Sequence, residues 1–263
     1  MSPEPAPLRP RVLITRAAED ARPLAEVVEQ CGGEAVCVPA VQTVPLPLDG
    51  PRAIALASLG SYRAIGFGSR HGARLLAHHL GTLGLQVPPT CALFAVGPAT
   101  AACITALYGR PAELAPPYTG PGLAAHMGAR LHPGDRVLLP TACGAGEPLA
   151  QALQQVGLRA QRLELYGTQV VDYRADAEGA SMTAASDVDY IVFTSPSCVR
   201  GYLGWGLPLG HARLLTIGPT TSAAVTRHGL RVYAEAAPSS FEGLCALVKA
   251  VLCPHLHPST VSS

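Results

Sequence analysis

LLTIGPTTSAAVTRH at 214–228 and LFAVGPATAACITAL at 93–107 are built on one plan. In each, a short apolar run ends in Gly-Pro, a threonine follows, and a helix-compatible stretch takes over. Glycine lets the backbone turn, while proline at the first helical position has no N–H to leave unsatisfied and a φ already set for a helix. Both segments therefore predict a β-strand feeding directly into an α-helix. The helix starts would present the amides of Ala99 and Thr100, and of Thr220 and Thr221, at an end that carries partial positive charge and suits anions.

Working outward, the same rhythm fills the chain. Apolar runs lie at 12–15, 35–38, 64–67, 93–96, 112–114, 137–139, 162–166, 190–193, 214–217 and 232–234, each followed by a helix-compatible stretch. Short runs that are apolar on both faces and alternate with helices predict parallel sheets covered on each side. The halves also match each other at offsets of 121 to 126 residues. Leu24-Ala25 pairs with Leu149-Ala150, IGFGS at 65–69 with IVFTS at 191–195, VGPAT at 96–100 with IGPTT at 217–221, and Gly122-Leu123 with Gly243-Leu244. Four matches in order indicate an internal duplication. Each repeat then holds the inventory of a flavodoxin-like, doubly wound sheet of order 2-1-3-4-5. The Pro-rich stretch 38–51 and the stretch 164–185 break the rhythm and are candidate crossings between domains.

The third strands end in Ser69-Arg70-His71 and Thr194-Ser195-Pro196-Ser197, where serine suits an N-cap and Pro196 a first helical residue. All strands of a parallel sheet end on one edge, and ligands bind there. The Gly-Pro and serine motifs of each domain should converge on that rim.

At 263 residues the chain is long enough for two domains of about 120 to 130 residues each. Its 48% apolar content excludes a disordered chain. No run approaches the roughly 18 to 20 residues of a membrane span. The opening MSPEPAPLRP has neither the basic start nor the apolar stretch of an export signal, so a loose arm and a cytoplasmic location are expected. The eight cysteines show no C-x-x-C pair and no zinc-like spacing, and read as reduced core residues. Nineteen Lys plus Arg balance eighteen Asp plus Glu without a basic block, so no nucleic-acid partner is expected.

Several chemistries lack support. Gly144-Ala145-Gly146 follows a strand, but Leu149 stands where a dinucleotide fingerprint needs its third glycine. His78-His79 should lie on a helix surface and His255-x-His257 in a frayed tail, neither with companion ligands, so no metal is expected. G-x-S-x-G, the P-loop and H-E-x-x-H are absent, and no cofactor is expected.

From about Val12 to Val251 the chain resembles the uroporphyrinogen-III synthase family. The resemblance rests on VLITR at 12–16, Phe67-x-Ser69, Val96-Gly97-x-Ala99-Thr100, PLAQALQQVG leading into LELYGTQ, FTSPS at 193–197, IGPTTSAA at 217–224 and Glu242-Gly243-Leu244. It implies two flavodoxin-like domains joined by a two-stranded antiparallel linker: one from residues 1–40 and 168–263, the other inserted as 41–167. A cleft between them would hold hydroxymethylbilane, a linear tetrapyrrole with eight carboxylates. The family's reaction expels the hydroxyl on the first ring's methylene, lets the substituted carbon of the last ring attack the azafulvenium, and recloses a spiro intermediate with that ring inverted. Such an enzyme is a cyclising lyase of haem biosynthesis whose task is largely to hold the reacting ends.

By the same resemblance Tyr166 matches the tyrosine that assists departure of the hydroxyl. A phenol of pKa about 10 would act there by hydrogen bonding. Substrate contacts fall to Ser69, Thr100, Ser195, Ser197, Thr220 and Thr221, with Arg16 and Arg213 as cationic partners. The sequence departs from the family pattern at Gly68, where threonine is usual, at Arg70-His71-Gly72 and at Ala17. A monomer is expected, with transient contact to hydroxymethylbilane synthase. Two other readings stay open: a non-catalytic two-domain tetrapyrrole or small-anion binding or sensor protein using the same cleft, and a flavodoxin-like nucleotide domain.

Overall fold

The computed structural model describes residues 9–173, 183 and 185–253. The strands in chain order are β1 (Arg11–Ile14), β2 (Glu34–Cys37), β3 (Val41–Pro45), β4 (Ala64–Phe67), β5 (Ala92–Ala95) and β6 (Arg136–Ala142), then β7 (Arg159–Val170), β8 (Tyr190–Phe193), β9 (Arg213–Thr216) and β10 (Val232–Glu235). The helices are α1 (Ala18–Gln30), α2 (Gly50–Ala57), α3 (Arg70–Leu83), α4 (Pro98–Tyr108), α5 (Gly120–Arg130), α6 (Pro148–Gln155), α7 (Pro196–Gly204), α8 (Pro219–Arg227) and α9 (Phe241–Leu252).

Nearly every expected run carries a strand. The run at 112–114 does not: Pro111, Pro116 and Pro117 crowd it, proline cannot donate to a ladder, and only Glu113 forms a bridge, to Phe94. The stretch 38–51, read as a crossing, contains β3, and Leu46 donates its amide to the Leu165 carbonyl at 2.9 Å. Part of the other crossing, 174–182, and the pair His255 and His257 lie outside the described residues.

The chain divides into two compact units, Met1–Gln42 with Gln169–Ser263, and Thr43–Thr168. It leaves the first within β3 and re-enters it within β7. The first unit's five-stranded sheet has the order β10-β9-β8-β1-β2, and the second's has β3-β7-β6-β4-β5. The ladders within β1, β2, β8, β9 and β10 are parallel, as are those linking β5, β4, β6 and β7. In the second unit the place of a fifth sequential strand is taken by β3, which precedes the other four.

Alternation along each strand builds two cores per sheet, one on each face. In the first unit, Leu13, Ile191 and Phe193 pack with residues of α7 and α8, while Val12, Ile14 and Val192 pack with α1 and α9. In the second, Ile65, Phe67 and Leu138 meet α2, α3 and α4, and Val137 and Leu139 meet α5 and α6. Burying each such side chain stabilises the fold by about 1.5–3 kcal/mol before entropy is counted.

The sequence repeat reappears as repeated atomic detail. Phe67 and Phe193 close their strands fully buried, each against a tyrosine of its own unit, Tyr108 at 5.9 Å and Tyr202 at 5.8 Å between ring centroids. Their carbonyls accept the Val96 and Ile217 amides at 3.0 and 3.1 Å. Thr119 caps α5 by accepting from the Gly122 amide at 3.2 Å, and Ser240 caps α9 by accepting from the Gly243 amide at 3.1 Å. A Cβ on Gly122 would lie 2.1 Å from the Pro117 carbonyl oxygen, and one on Gly243 1.9 Å from that of Pro238. Backbone occupies the space, which is why both repeats keep glycine there.

Gly122→Ala and Gly243→Ala should each lower unfolding stability by about 1–3 kcal/mol, because overpacking against fixed backbone has no side chain to move. Urea denaturation should show a reduced midpoint with an unchanged slope, and a midpoint equal to the parent's would show that the carbonyl gives way.

Candidate active site

In the unit Thr43–Thr168 the direction of chain order reverses between β4 and β6, since β5 flanks one and β7 the other. A crevice at the carboxyl ends of strands is expected at such a switch point. A pocket of about 230 Å³ opens there, with Gly66, Gly68 and Ser69 on one side and Leu139 to Ala142 on the other. Ala145, Gly146 and the first turn of α6 form its roof, and Arg162 and Tyr166 come from β7.

Ser69 is the N-cap of α3, and its Oγ accepts the Gly72 amide at 3.2 Å. The Tyr166 hydroxyl lies 3.1 Å from that same Oγ. Because the oxygen already accepts from Gly72, the serine proton is free to point at the phenol oxygen, which leaves the phenol proton available to a third group. Burial raises the Tyr166 phenol above its ordinary value, and the Ser69 hydrogen bond works the other way. The hydroxyl is therefore protonated throughout the neutral range. The His71 ring lies 6.1 Å from the Tyr166 ring.

The loop from β6 to α6 is fastened by the opposite face of β7 from the one that packs the core. Leu163 is buried between Arg162 and Glu164, and beyond the register shift after Glu164 Tyr166 packs partly against the same core as Leu163 and Leu165. Arg162 donates to the Ala145 carbonyl at 2.6 Å and to Glu147 Oε1 at 2.9 Å. Glu164 accepts the Gly144 amide at 3.1 Å, and this bond first, then the Cys143 thiol, holds its carboxyl below the usual range.

In the other unit the reversal falls between β1 and β8. Ser195 caps α7 with the dihedrals of Ser69, −163° and 160° against −160° and 160°, and accepts the Cys198 amide at 3.2 Å. Ser197 accepts from Arg200 at 3.0 Å. Arg16 stacks on the Phe241 ring, 5.1 Å from its centroid, and pairs with Asp20 at 3.7 Å.

Several expectations are corrected. The amides of Thr100 and Thr221 turn back onto the Gly97 and Gly218 carbonyls at 3.1 and 3.0 Å, and both side chains are buried. A tight first turn consumes these donors, so only the amides of Ala99 and Thr220 have no backbone acceptor among the described residues. Gly97 and Gly218 are extended, with φ of −167° and 166°, so neither is needed for a sharp turn. Gly218 is needed for space instead, since a Cβ would lie 1.8 Å from Ser239 Oγ and 2.8 Å from its Cβ. Arg213 is the first residue of β9, at the amino edge away from the rim, stacked on Tyr233 at 4.7 Å. His79 is not on a surface: it is buried, its Nε2 2.9 Å from the Leu165 carbonyl oxygen. Cys37 and Cys143 are exposed rather than core residues, though all eight cysteines are free.

Sequence reading missed Arg162, Thr141 and the roof loop. The alternation Arg-Leu-Glu-Leu at 162–165 was the available signal, because a period of two puts Arg162 and Glu164 together on the face opposite Leu163. Among the described residues no three His, Cys, Asp or Glu side chains are placed to hold a metal ion, and no helix is long and apolar enough to cross a membrane.

The family model described as "Uroporphyrinogen-III synthase HemD" matches residues 22–246. The porphyrin biosynthesis protein HemD of Ruminiclostridium josui is 26% identical over 239 residues, covering 89% of this chain, which spans about half (47%) of that relative's length. Two crystal structures share the fold. Uroporphyrinogen-III synthetase of Helicobacter pylori superposes with a TM-score of 0.56 at 17% identity, over 92% of this chain and 99% of that one. A mutant uroporphyrinogen III synthase of Thermus thermophilus gives 0.51 at 18% identity, over 92% and 96%. With strand-end serines, a pocket at the switch point and a family model matched along most of its length, this chain belongs to the uroporphyrinogen-III synthase family.

Proposed function

We propose that this protein closes hydroxymethylbilane to uroporphyrinogen III, with loss of water and inversion of the last ring. The observation that carries the reading is the Tyr166 hydroxyl held 3.1 Å from Ser69 Oγ, both in the lining of the pocket. A phenol kept neutral by burial, with its oxygen supported by a neighbouring hydroxyl, can donate its proton in a hydrogen bond to a departing hydroxyl. No full proton transfer is needed, because the leaving group is expelled by the electron-rich pyrrole. Thr220, with Ser195 and Ser197, supplies polar contacts to substrate carboxylates, Ser69 acts on the substrate through the Tyr166 hydroxyl that it supports, and Arg16 serves as a partly engaged cation. Thr100 and Thr221 contribute through the shape of their helix starts.

In this reading the two sheet units are flavodoxin-like, joined by β3 and β7, and the protein works as a cytoplasmic monomer without cofactor. Any contact with hydroxymethylbilane synthase is transient. Near neutrality of the chain is compatible with a polyanionic substrate when hydroxyls and amides do the holding.

Supplied with hydroxymethylbilane made in situ by its synthase, the purified protein should yield mainly the type III isomer by chromatography; type I alone would refute the activity. Tyr166→Phe should cut kcat about ten- to a hundredfold with little change in stability, since only a hydrogen bond to the leaving oxygen is lost. A raised phenol pKa keeps its contribution below the unfolded value and loses it as pH climbs past the folded one, so the alkaline limb should fall only above about pH 10. An earlier loss, absent from Tyr166→Phe, would mean that this hydroxyl ionises during turnover. Dialysis against a chelator should leave the rate unchanged, and a loss restored by metal would end the cofactor-free reading.

A further inference from the structure

The charged member of the pocket lining is Arg162, set among Leu139, Pro140, Leu149 and Ala150. Its side chain is only 21% exposed, whereas its partner Glu147 is 58% exposed. One end of the guanidinium is tied to the Ala145 carbonyl at 2.6 Å, the other to Glu147 at 2.9 Å. Its Nε is buried and has no acceptor among the described residues, and Thr141 Oγ1 in the same lining is likewise buried without a partner. With the hydroxyls of Ser69 and Tyr166, the polar groups of this hollow are predominantly donors in apolar walls. The complementary ligand is an acceptor carried on an apolar frame.

We infer that Arg162 is the counter-ion for a carboxylate on one pyrrole ring of the substrate, and that Glu147 occupies its guanidinium until that carboxylate replaces it. The inference rests on the function proposed above and deepens it. A pocket of about 230 Å³ falls below the range of about 300–1,000 Å³ that holds drug-sized ligands, so it takes a single substituted ring and not a whole tetrapyrrole. An ion pair with one partner so exposed is weak and readily exchanged. A guanidinium forks onto a carboxylate through two parallel bonds, and the incoming group gains burial that Glu147 lacks. Glu164 Oε1, 3.7 Å from the same guanidinium, is occupied by the Gly144 amide and does not move in the exchange.

The exchange gives the two partners opposite signs. Arg162→Ala should raise KM for hydroxymethylbilane about tenfold, the size of one lost charged hydrogen bond, with kcat changed far less. Arg162→Lys, which keeps the charge without the fork, should fall between. Glu147→Gln should lower KM by about two- to fivefold, since only a weak pair is removed. That gain should vanish in the Arg162→Ala background, whereas a general charge effect would persist there. The same four proteins titrated with uroporphyrin III, an octacarboxylate, should rank identically in Kd. If Glu147→Gln weakens binding as Arg162→Ala does, or if Arg162→Ala changes neither constant, the counter-ion assignment is overturned. Wild-type protein that binds the octacarboxylate with this ranking yet forms no type III isomer would refute the synthase reading and leave the Arg162 site standing.

Discussion

The rim of each unit depends on a single kind of contact, a strand-end serine whose hydroxyl oxygen accepts the amide of the third residue beyond it. Ser69 takes the Gly72 amide and Ser195 takes the Cys198 amide, both at 3.2 Å. The bond satisfies one of the donors that every helix start leaves open, and so fixes where the helix begins relative to the strand edge. Once α3 starts at Arg70, the capping bond uses one lone pair of the Ser69 oxygen and leaves its proton free, and the Tyr166 hydroxyl is within reach at 3.1 Å. A structural cap and a site residue are the same atom. Its capping role orients the serine without consuming its proton.

Duplication explains why the cap occurs twice and why the glycines around it recur. Gly122 and Gly243 lie against the carbonyls of Pro117 and Pro238, and that constraint is backbone against backbone. Side chains elsewhere in the repeats have drifted, as Gly68 and Thr194 show, because a neighbouring side chain can yield where a carbonyl cannot. The units differ in structure at their switch points. One places Thr15 there, buried and donating to the Val192 carbonyl at 2.8 Å, while the other leaves a hollow beside Gly66 and Gly68.

Charge is used sparingly around the pocket. Arg162 is spent on its own roof loop, and Glu164 is held ionised by the Gly144 amide. The lining therefore offers hydroxyls and one engaged guanidinium rather than a cluster of basic side chains.

Local order was legible in the residues themselves. Apolar runs separated by helical stretches identified nearly every strand, Gly-Pro and Ser-Pro marked helix starts, and the 121- to 126-residue offsets marked the repeat. Each of these is decided by neighbours within a turn or two of chain. What the sequence by itself did not reveal depends on partners far away in number. β3 fills the edge of a sheet whose other strands all follow it, Arg213 falls on the wrong edge, and Thr100 and Thr221 spend their amides within their first turns. Arg162 became visible only when β6 and β7 were paired, since the register that sets it opposite Leu139 brings the guanidinium to the Ala145 carbonyl of the roof loop. Periodicity states which face a side chain takes, and only the packed sheet decides what that face meets.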